Sequence, residues 1–140
     1  MLTSALARSL LDATLAHAQQ MGLKPLSVVV LDAGGHPVAF LRQDGSSAGR
    51  FEVARGKAYG CVMLGIGGAA QNKRAEAQPY FVQAMNGIYD GRFVPVQGGV
   101  LIRDAAGTVL GAVGVTGDTS ENDAACAVAA ITAAGLVAEA

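Results

Sequence analysis

Lys57 is the charged residue of this chain whose position most favours a chemical role. At 100° per residue it lies on the flank of the apolar stripe of a predicted helix, residues 49–65, and not on the polar face. Its small neighbours Ala54, Ala58 and Gly60 leave room around its stem. Such a lysine either covers apolar surface with its stem or holds its ammonium at a pocket, as a carboxylate partner or an acid–base group.

A second candidate lies where a predicted strand runs into the last helix, at Thr116, Gly117 and Asp118. The free N–H groups and the dipole of a helix N-terminus favour an anionic ligand. Asp118 has a competing role, because Asp118 and Glu121 have the spacing of a capping box and would cap their own helix. Asp123 follows in the same first turn, where it suits the helix dipole; beside the lysine it would form an acid–base pair.

The third candidate is the pair Gly98–Gly99, which leads into a predicted strand. Glycines in this position mark a bulge or tight bend, or they let a ligand approach bare backbone. We therefore predict one ligand site formed by three chain segments and, if the chain is an enzyme, a catalytic pair within it. The predicted ligand-binding residues are Lys57, Gly98, Gly99, Thr116, Gly117 and Asp118, and the catalytic pair is Lys57 with Asp123.

Metal chemistry has little support in the sequence. The chain has no Walker loop and no CxxC, HExxH or GxSxG motif, and His17 and His36 are too few for a histidine-rich metal site. His17 lies in the apolar stripe of the first predicted helix, where a core or interface histidine is more usual than a haem ligand. His36 lies in a predicted turn, and we expect it to be exposed. The identity of any bound metal stays open.

Helices and two antiparallel hairpins must position these residues. Both hairpins have short glycine-containing links, so the sequence predicts an α/β fold of the α+β kind, with helices packed on a single antiparallel sheet. On the helix 49–65, Glu52, Arg55 and Tyr59 fall on the outer face. The predicted helices are 3–22, 49–65, 74–86 (with a break near Pro79) and 119–137, and the predicted strands are 27–31, 37–41, 100–102 and 108–115.

Composition indicates one closely packed domain, residues 1–140. The 140 residues include 27 alanines and 19 glycines, so the elements must approach one another closely. Only 15% of the residues are charged, which suggests that part of the surface is covered in a homo-oligomer. The net charge of −1 and the scattered basic residues argue against nucleic-acid binding.

Cysteine usage and hydropathy favour a cytoplasmic protein. Cys61 and Cys126 lie among apolar residues of predicted helices, and we expect both thiols to be reduced and buried. The first twenty residues lack the basic segment of a signal peptide, and no uncharged apolar run is long enough to cross a membrane.

Three segments together resemble the GlcG/HbpS family of small haem-associated proteins. They are Phe51–Ala58, Gly98–Ile102 and Gly111–Asp123, of which the last, with its Gly-Ala-Val-Gly-Val-Thr-Gly run, is the most specific. The same segments are similar to the C-terminal domain of PduO-type corrinoid adenosyltransferases. The resemblance implies a profilin-like fold with a five-stranded antiparallel sheet, which requires a short extra strand between residues 90 and 97. It also implies haem or another tetrapyrrole as ligand and homo-oligomers of up to eight subunits.

The first functional hypothesis is therefore a small oligomeric protein that binds haem, another tetrapyrrole or a different anionic ligand. Lys57 would neutralise a ligand carboxylate, so Lys57→Met should keep the fold and lower ligand affinity about tenfold or more. One alternative is a cofactor-free isomerase or lyase that uses Lys57 and Asp123 on a small carboxylic acid. The other is an oligomer that regulates a partner protein.

Overall fold

The computed structural model describes residues 1–140, and both hairpins are present. The helices are α1 (Ser4–Gln20), α2 (Arg50–Leu64), α3 (Gly68–Ala77), α4 (Pro79–Ile88) and α5 (Ser120–Ala133). The strands are β1 (Ser27–Asp32), β2 (Pro37–Arg42), β3 (Gly99–Arg103), β4 (Val109–Thr116) and β5 (Val137–Glu139).

All five strands form one antiparallel sheet in the order β2-β1-β4-β3-β5. This confirms the predicted α+β fold with a single five-stranded antiparallel sheet. The hairpins β1–β2 and β3–β4 are joined through β1 and β4, whose paired residues include Ser27 with Thr116 and Asp32 with Gly111. Helices α1 and α5 pack on one face of the sheet, and α2 packs on the other.

The run Val28–Leu31 is buried along its whole length because helices cover both faces of the sheet. Alternate side chains of a strand point to opposite faces. Val28 and Val30 therefore join the core under α1 and α5, whereas Val29 and Leu31 join the core under α2. The sequence showed this run as a buried strand without indicating how its side chains divide between two cores.

The fifth strand is not where the resemblance implied. Residues 90–97 form a loop, and the strand prediction for this segment is wrong. The fifth strand is β5, which pairs with β3 after α5 has ended four residues earlier than predicted. Gly135, with φ +78°, turns the chain there. Arg103 holds β5 in place, because its Nε lies 2.7 Å from Glu139 Oε2 and its Nη2 donates to the carbonyl of Gly65.

The predicted helix 74–86 is in fact two helices. Gly65, with φ +70°, ends α2 as expected, but α3 begins directly after it at Gly68, among residues predicted to be irregular. Gln78 separates α3 from α4, and Pro79 begins α4 at a position where its missing N–H leaves no bond unmade. The break near Pro79 is therefore a helix boundary.

The position of Tyr59 differs from the prediction because α2 is covered on two sides. Tyr59 was expected on the outer face, yet only 8% of it is exposed. Its ring lies 6.1 Å from that of Tyr89 and 6.0 Å from that of Phe93, measured between ring centroids. Both partners lie in the segment that follows α4, so this segment covers the side of α2 that faces away from the sheet.

The cysteine prediction is confirmed for burial. Cys61 and Cys126 are free thiols, and neither side chain is exposed. Burial raises the pKa of each thiol to about 12, so both are protonated and unreactive at neutral pH.

None of the helices combines the length and the apolar character needed to cross a lipid bilayer.

Candidate functional site

Helix α2 lies so close to β3 and β4 that glycine is required beneath it. A Cβ atom added at Gly114 would overlap the carbonyl oxygen of Ala54, and one added at Gly99 would overlap the carbonyl oxygen of Lys57. Gly98 has φ +112°, and a Cβ atom there would lie 2.7 Å from Lys57 Nζ. These glycines let the backbone of α2 approach the sheet, which is the structural alternative to ligand approach.

The predicted residues meet around the ammonium of Lys57. Its Nζ lies 3.2 Å from Asp123 Oδ2 and donates a hydrogen bond of 2.9 Å to the carbonyl oxygen of Val115. Lys57 is 4% exposed and Asp123 is 1% exposed. Lys57 is thus neither a surface side chain nor a lysine at an open pocket; it is half of a buried ion pair between α2 and α5.

Burial shifts both ionisable groups of the ion pair toward their neutral forms. Burial lowers the pKa of Lys57, and the attraction of Asp123 opposes this shift. Burial likewise raises the pKa of Asp123, although Lys57 and the backbone N–H of Asp118 stabilise its charged form. The ammonium has three N–H groups and two protein acceptors, so one N–H remains for a further partner.

Arg50 belongs to the same cluster and was missed by the sequence analysis. Its Nη1 donates to Thr116 Oγ1 over 2.8 Å, and Thr116 is itself buried. The positive charge of Arg50 further lowers the pKa of Lys57. Arg50 and Lys57 are seven residues apart on α2, and this spacing places them on one face of a helix. That spacing was the available signal.

Asp118 ties two segments together instead of capping α5. Its carboxylate accepts hydrogen bonds from the backbone N–H of Lys24 at 3.0 Å, from that of Thr119 at 2.8 Å and from the amide of Asn122 at 2.9 Å. These bonds lower the pKa of Asp118 to about 2, and the bond from Asn122 contributes most to the shift. The capping-box prediction is wrong, since the helix N-cap is Thr119, whose Oγ1 accepts from the N–H of Asn122.

The remaining predicted residue, Gly117, has φ +141°, and a Cβ atom there would overlap the carbonyl oxygen of Pro25. The structure therefore brings together all the predicted site residues as one group. We call it the Lys57 cluster: Arg50, Lys57, Gly98, Gly99, Thr116, Gly117, Asp118 and Asp123. The cluster is closed in this conformation, because its central side chains are almost fully buried.

An open groove lies elsewhere, between the end of α1 and the end of β2. Its volume is about 640 Å³, and it combines apolar side chains with two cations and one carboxylate, Asp44. We call it the α1–β2 groove; its lining includes Ala18, Gln19, Leu23, Lys24, Leu41 and Arg42. His17 is two residues before Gln19, so it lies on the opposite side of α1 from the groove. His17 is half-buried and not a core residue, while His36 is exposed as predicted.

Comparison with known protein families shows which family this chain belongs to. The sequence profile described as haem degrading protein HbpS-like matches residues 2–132, nearly the whole chain. The chain belongs to the HbpS-like family. This confirms the resemblance drawn from the glycine-rich segments and the helix that carries Lys57. No curated protein matches the sequence significantly.

Solved structures agree with membership of the HbpS-like family. A crystal structure of a PduOC–haem complex is 25% identical, with a TM-score of 0.81 over 92% of this chain and 91% of that one. Crystalline HbpS is 25% identical, with a TM-score of 0.81 over 94% and 88% of the two chains. The ORFY protein of Klebsiella pneumoniae is 27% identical, with a TM-score of 0.77 over 93% and 88%.

Proposed function

We propose that this HbpS-like chain is a small haem-binding protein that works as a homo-oligomer. The observation that carries the proposal is the match of residues 2–132 to a family described by haem degradation. The likeness to the PduOC–haem complex supports it, since that fold accommodates haem. Haem, when bound, supplies an iron centre that binds small ligands and exchanges electrons.

The Lys57 cluster does not fit the haem macrocycle. Lys57, Thr116 and Asp123 are each 4% exposed or less. Lys57 is paired with Asp123, and the Thr116 hydroxyl accepts a hydrogen bond from Arg50. A planar tetrapyrrole would have to separate α2 from the sheet to reach them. What the cluster can offer is the remaining N–H of Lys57, which suits a single carboxylate oxygen of a much smaller molecule.

The α1–β2 groove fits haem better. Its volume of about 640 Å³ is within the range of roughly 300–1,000 Å³ typical of sites for organic ligands of this size. Ala18, Leu23 and Leu41 offer an apolar surface for the ring. Lys24 and Arg42 provide two cations that would hold the propionate carboxylates, against the single carboxylate of Asp44 in the lining.

A haem titration followed by the Soret absorption tests this assignment. We expect Lys24→Gln/Arg42→Gln to weaken haem binding about tenfold or more, because two charge-assisted contacts are lost. The control Arg8→Gln/Lys73→Gln removes the same charge from exposed positions and should bind like wild type. His17→Ala should leave most haem uptake intact. Absence of haem binding by wild type would refute the function, and loss on His17→Ala alone would refute the groove.

The homo-oligomer is supported by apolar side chains that the monomer leaves in solvent. Several large hydrophobic residues are between 39% and 69% exposed: Met21, Phe40, Leu41, Tyr80, Ile88 and Val137. An interface between subunits would remove such side chains from water. Native mass spectrometry of untreated protein would give the subunit number and the mass of any retained ligand. A 14.1 kDa species at micromolar concentration would contradict the oligomer.

The contact between Lys57 and Asp123 favours one second candidate, proton transfer on a small carboxylic acid. An ammonium and a carboxylate 3.2 Å apart, with pKa values shifted toward each other, form a pair that can exchange a proton. The other proposed contacts are Gly98, Gly99 and the segment 116–118. Deuterium exchange at the α-carbon of short hydroxy or keto acids, followed by proton NMR, would detect this activity. Exchange that survives Lys57→Met would rule it out.

A further inference from the structure

A second cleft lies on the opposite side of α2 from the sheet. It is formed by α2 and the loop after α4, and its volume is about 280 Å³. Its lining brings together two guanidinium groups, Arg55 from α2 and Arg92 from the loop, over the side chains of Val53 and Val94. No residue of the Lys57 cluster or of the α1–β2 groove lines this cleft.

Arg55 has no partner within the chain. Its Nε is buried, yet neither this atom nor the rest of its guanidinium makes a hydrogen bond, and none of the four ion pairs includes it. A buried N–H without an acceptor is rare in folded proteins, and a bound acceptor would remove the defect. The guanidinium offers planar, paired donors that match the two oxygens of a carboxylate or phosphate.

Arg92 is held in place by Tyr59, so its charge is positioned before any ligand arrives. Its Nη1 donates to the hydroxyl of Tyr59 over 3.3 Å, and its guanidinium carbon lies 5.5 Å from the centre of that ring. The only acidic partner of Arg92 is Asp90, at 3.6 Å, and that carboxylate is largely exposed. A surface pair of this kind is weak and gives way to a better acceptor.

Glu52 is the one acidic residue in the lining of the cleft, where it faces two guanidinium groups. Asp90, which lies outside the lining and is 79% exposed, is the second carboxylate near the site, and an anion would replace it as the partner of Arg92. We propose that this cleft binds a small oxyanion, with a carboxylate or phosphate group held between Arg55 and Arg92 and a short apolar portion against Val53 and Val94. This site is independent of the proposed haem groove.

The volume limits the ligand. At about 280 Å³ the cleft is too small for a tetrapyrrole and suits inorganic phosphate or a short mono- or dicarboxylate. Gly56 forms part of the wall of the cleft. A Cβ atom there would lie 2.6 Å from Cγ2 of Val94 and 2.9 Å from the carbonyl oxygen of Arg92. The wall therefore has no room for a larger residue at this position.

The test is an NMR titration of the full chain with sodium phosphate, sodium succinate and sodium chloride at matched ionic strength. We expect phosphate or succinate to shift the Nε–Hε signals of Arg55 and Arg92, and chloride to leave both nearly unchanged. The Arg92 signal reports binding in the Arg55 variants. Arg55→Gln should weaken the binding of the active anion by at least about tenfold. Glu52→Gln should tighten it severalfold, an effect that a merely structural role would not produce. Which of the two anions binds identifies phosphate or carboxylate as the recognised group.

Two further variants keep the result interpretable. Arg8→Gln removes an equal charge from an exposed position on α1 and should bind the anion like wild type. Arg55→Lys keeps the charge without the paired planar donors and should lose part of the affinity, which separates recognition from simple charge attraction. The proposal is overturned if neither oxyanion acts more strongly than chloride, or if Arg8→Gln and Arg55→Gln lose affinity equally.

Discussion

Lys57 and Arg55 lie two residues apart on α2, on opposite sides of the helix, and their surroundings are opposite as well. Lys57 faces the sheet, where Asp123 and the carbonyl of Val115 accept hydrogen bonds from its ammonium and water is excluded. Arg55 faces the loop after α4, where its Nε is buried without an acceptor beside an open cleft. One charge is neutralised within the chain, and the other is left available.

The difference shows how the same helix can serve both fold and recognition. A charge whose partners come from its own chain connects elements, as Lys57 connects α2 to α5 and β4. A charge that is partly desolvated and unpartnered retains its capacity to bind an ion from solution. For this reason Arg55, on the outer side of α2, replaces Lys57 as the residue of this helix best placed to bind a ligand.

The largest expected effect is on the sheet side. Lys57→Met should destabilise the fold by about 3 kcal/mol, because it leaves Asp123 buried without its partner. This reverses the expectation from the sequence that the variant would keep its stability. Urea unfolding measures the change, and Lys57→Met/Asp123→Leu, which removes both charges, should recover much of the loss. A cost below about 1 kcal/mol for the single variant would mean that the ion pair is not closed in solution.

The cost of Lys57→Met should also depend on pH. The pKa of Asp123 is already raised above 3.8 by burial, and loss of the ammonium raises it further. A raised carboxyl pKa gives stability that is present below the unfolded value and is lost as pH rises through the folded value. The variant should therefore approach wild type in stability as the pH falls from 7 toward 4. In unfolding curves across this range, the difference in unfolding free energy between wild type and variant should decrease as the pH falls. A difference that does not change with pH would exclude Asp123 as the cause.

Packing on the sheet side should tolerate even a methyl group poorly. Gly114→Ala should destabilise by about 2 kcal/mol, because the new Cβ would overlap the carbonyl oxygen of Ala54 and push α2 away from β4. Gly87→Ala in α4 is the matched control, since nothing lies within 4 Å of its Cβ position. That change should stabilise by about 0.8 kcal/mol through helix propensity. Equal thermal shifts of the two variants would contradict the close approach of α2.

The smallest effect is expected on the outer side. Arg55→Met keeps the apolar stem and removes an unpaired, partly buried charge, so stability should change by no more than about 0.5 kcal/mol. Lys57→Met should cost several times more stability, so the two methionine variants compare the two sides of α2 directly. Thermal unfolding in a buffer without phosphate or carboxylate measures both. A large loss at Arg55 would show that this side chain has a structural partner.

Much of the fold could be predicted because its signals are local. The valines of β1, the glycine turns of both hairpins and the amphipathic α1 each predict an element from nearby residues. The short strand β5 escaped prediction, since three residues after a helix carry no pattern of their own and are strands only because β3 offers an open edge. The sequence predicts a break near Pro79 within one helix. It does not show that Pro79 is the first residue of a separate helix, α4.

The sequence predicted which residues of the site lie together, but it did not predict that they are buried. Lys57, Asp123 and the glycines do meet, as the family motif indicated, and their spacing could not show that they seal one another from solvent. Burial of Tyr59 and exposure of the cleft at Arg55 both follow from where α4 and its loop lie. That placement results from tertiary packing, which periodicity along α2 alone cannot reveal.

The pairing of β1 with β4 sets the order in which this chain can fold. Each hairpin joins strands that are close in sequence, but the central partners, such as Ser27 and Thr116, are roughly ninety residues apart. Closing so long a loop before any contact compensates for it makes folding slow relative to helical proteins of this size. Until β4 emerges, the inner edge of β1 and its valines remain unpaired, and in that interval the half-made protein is most prone to aggregate.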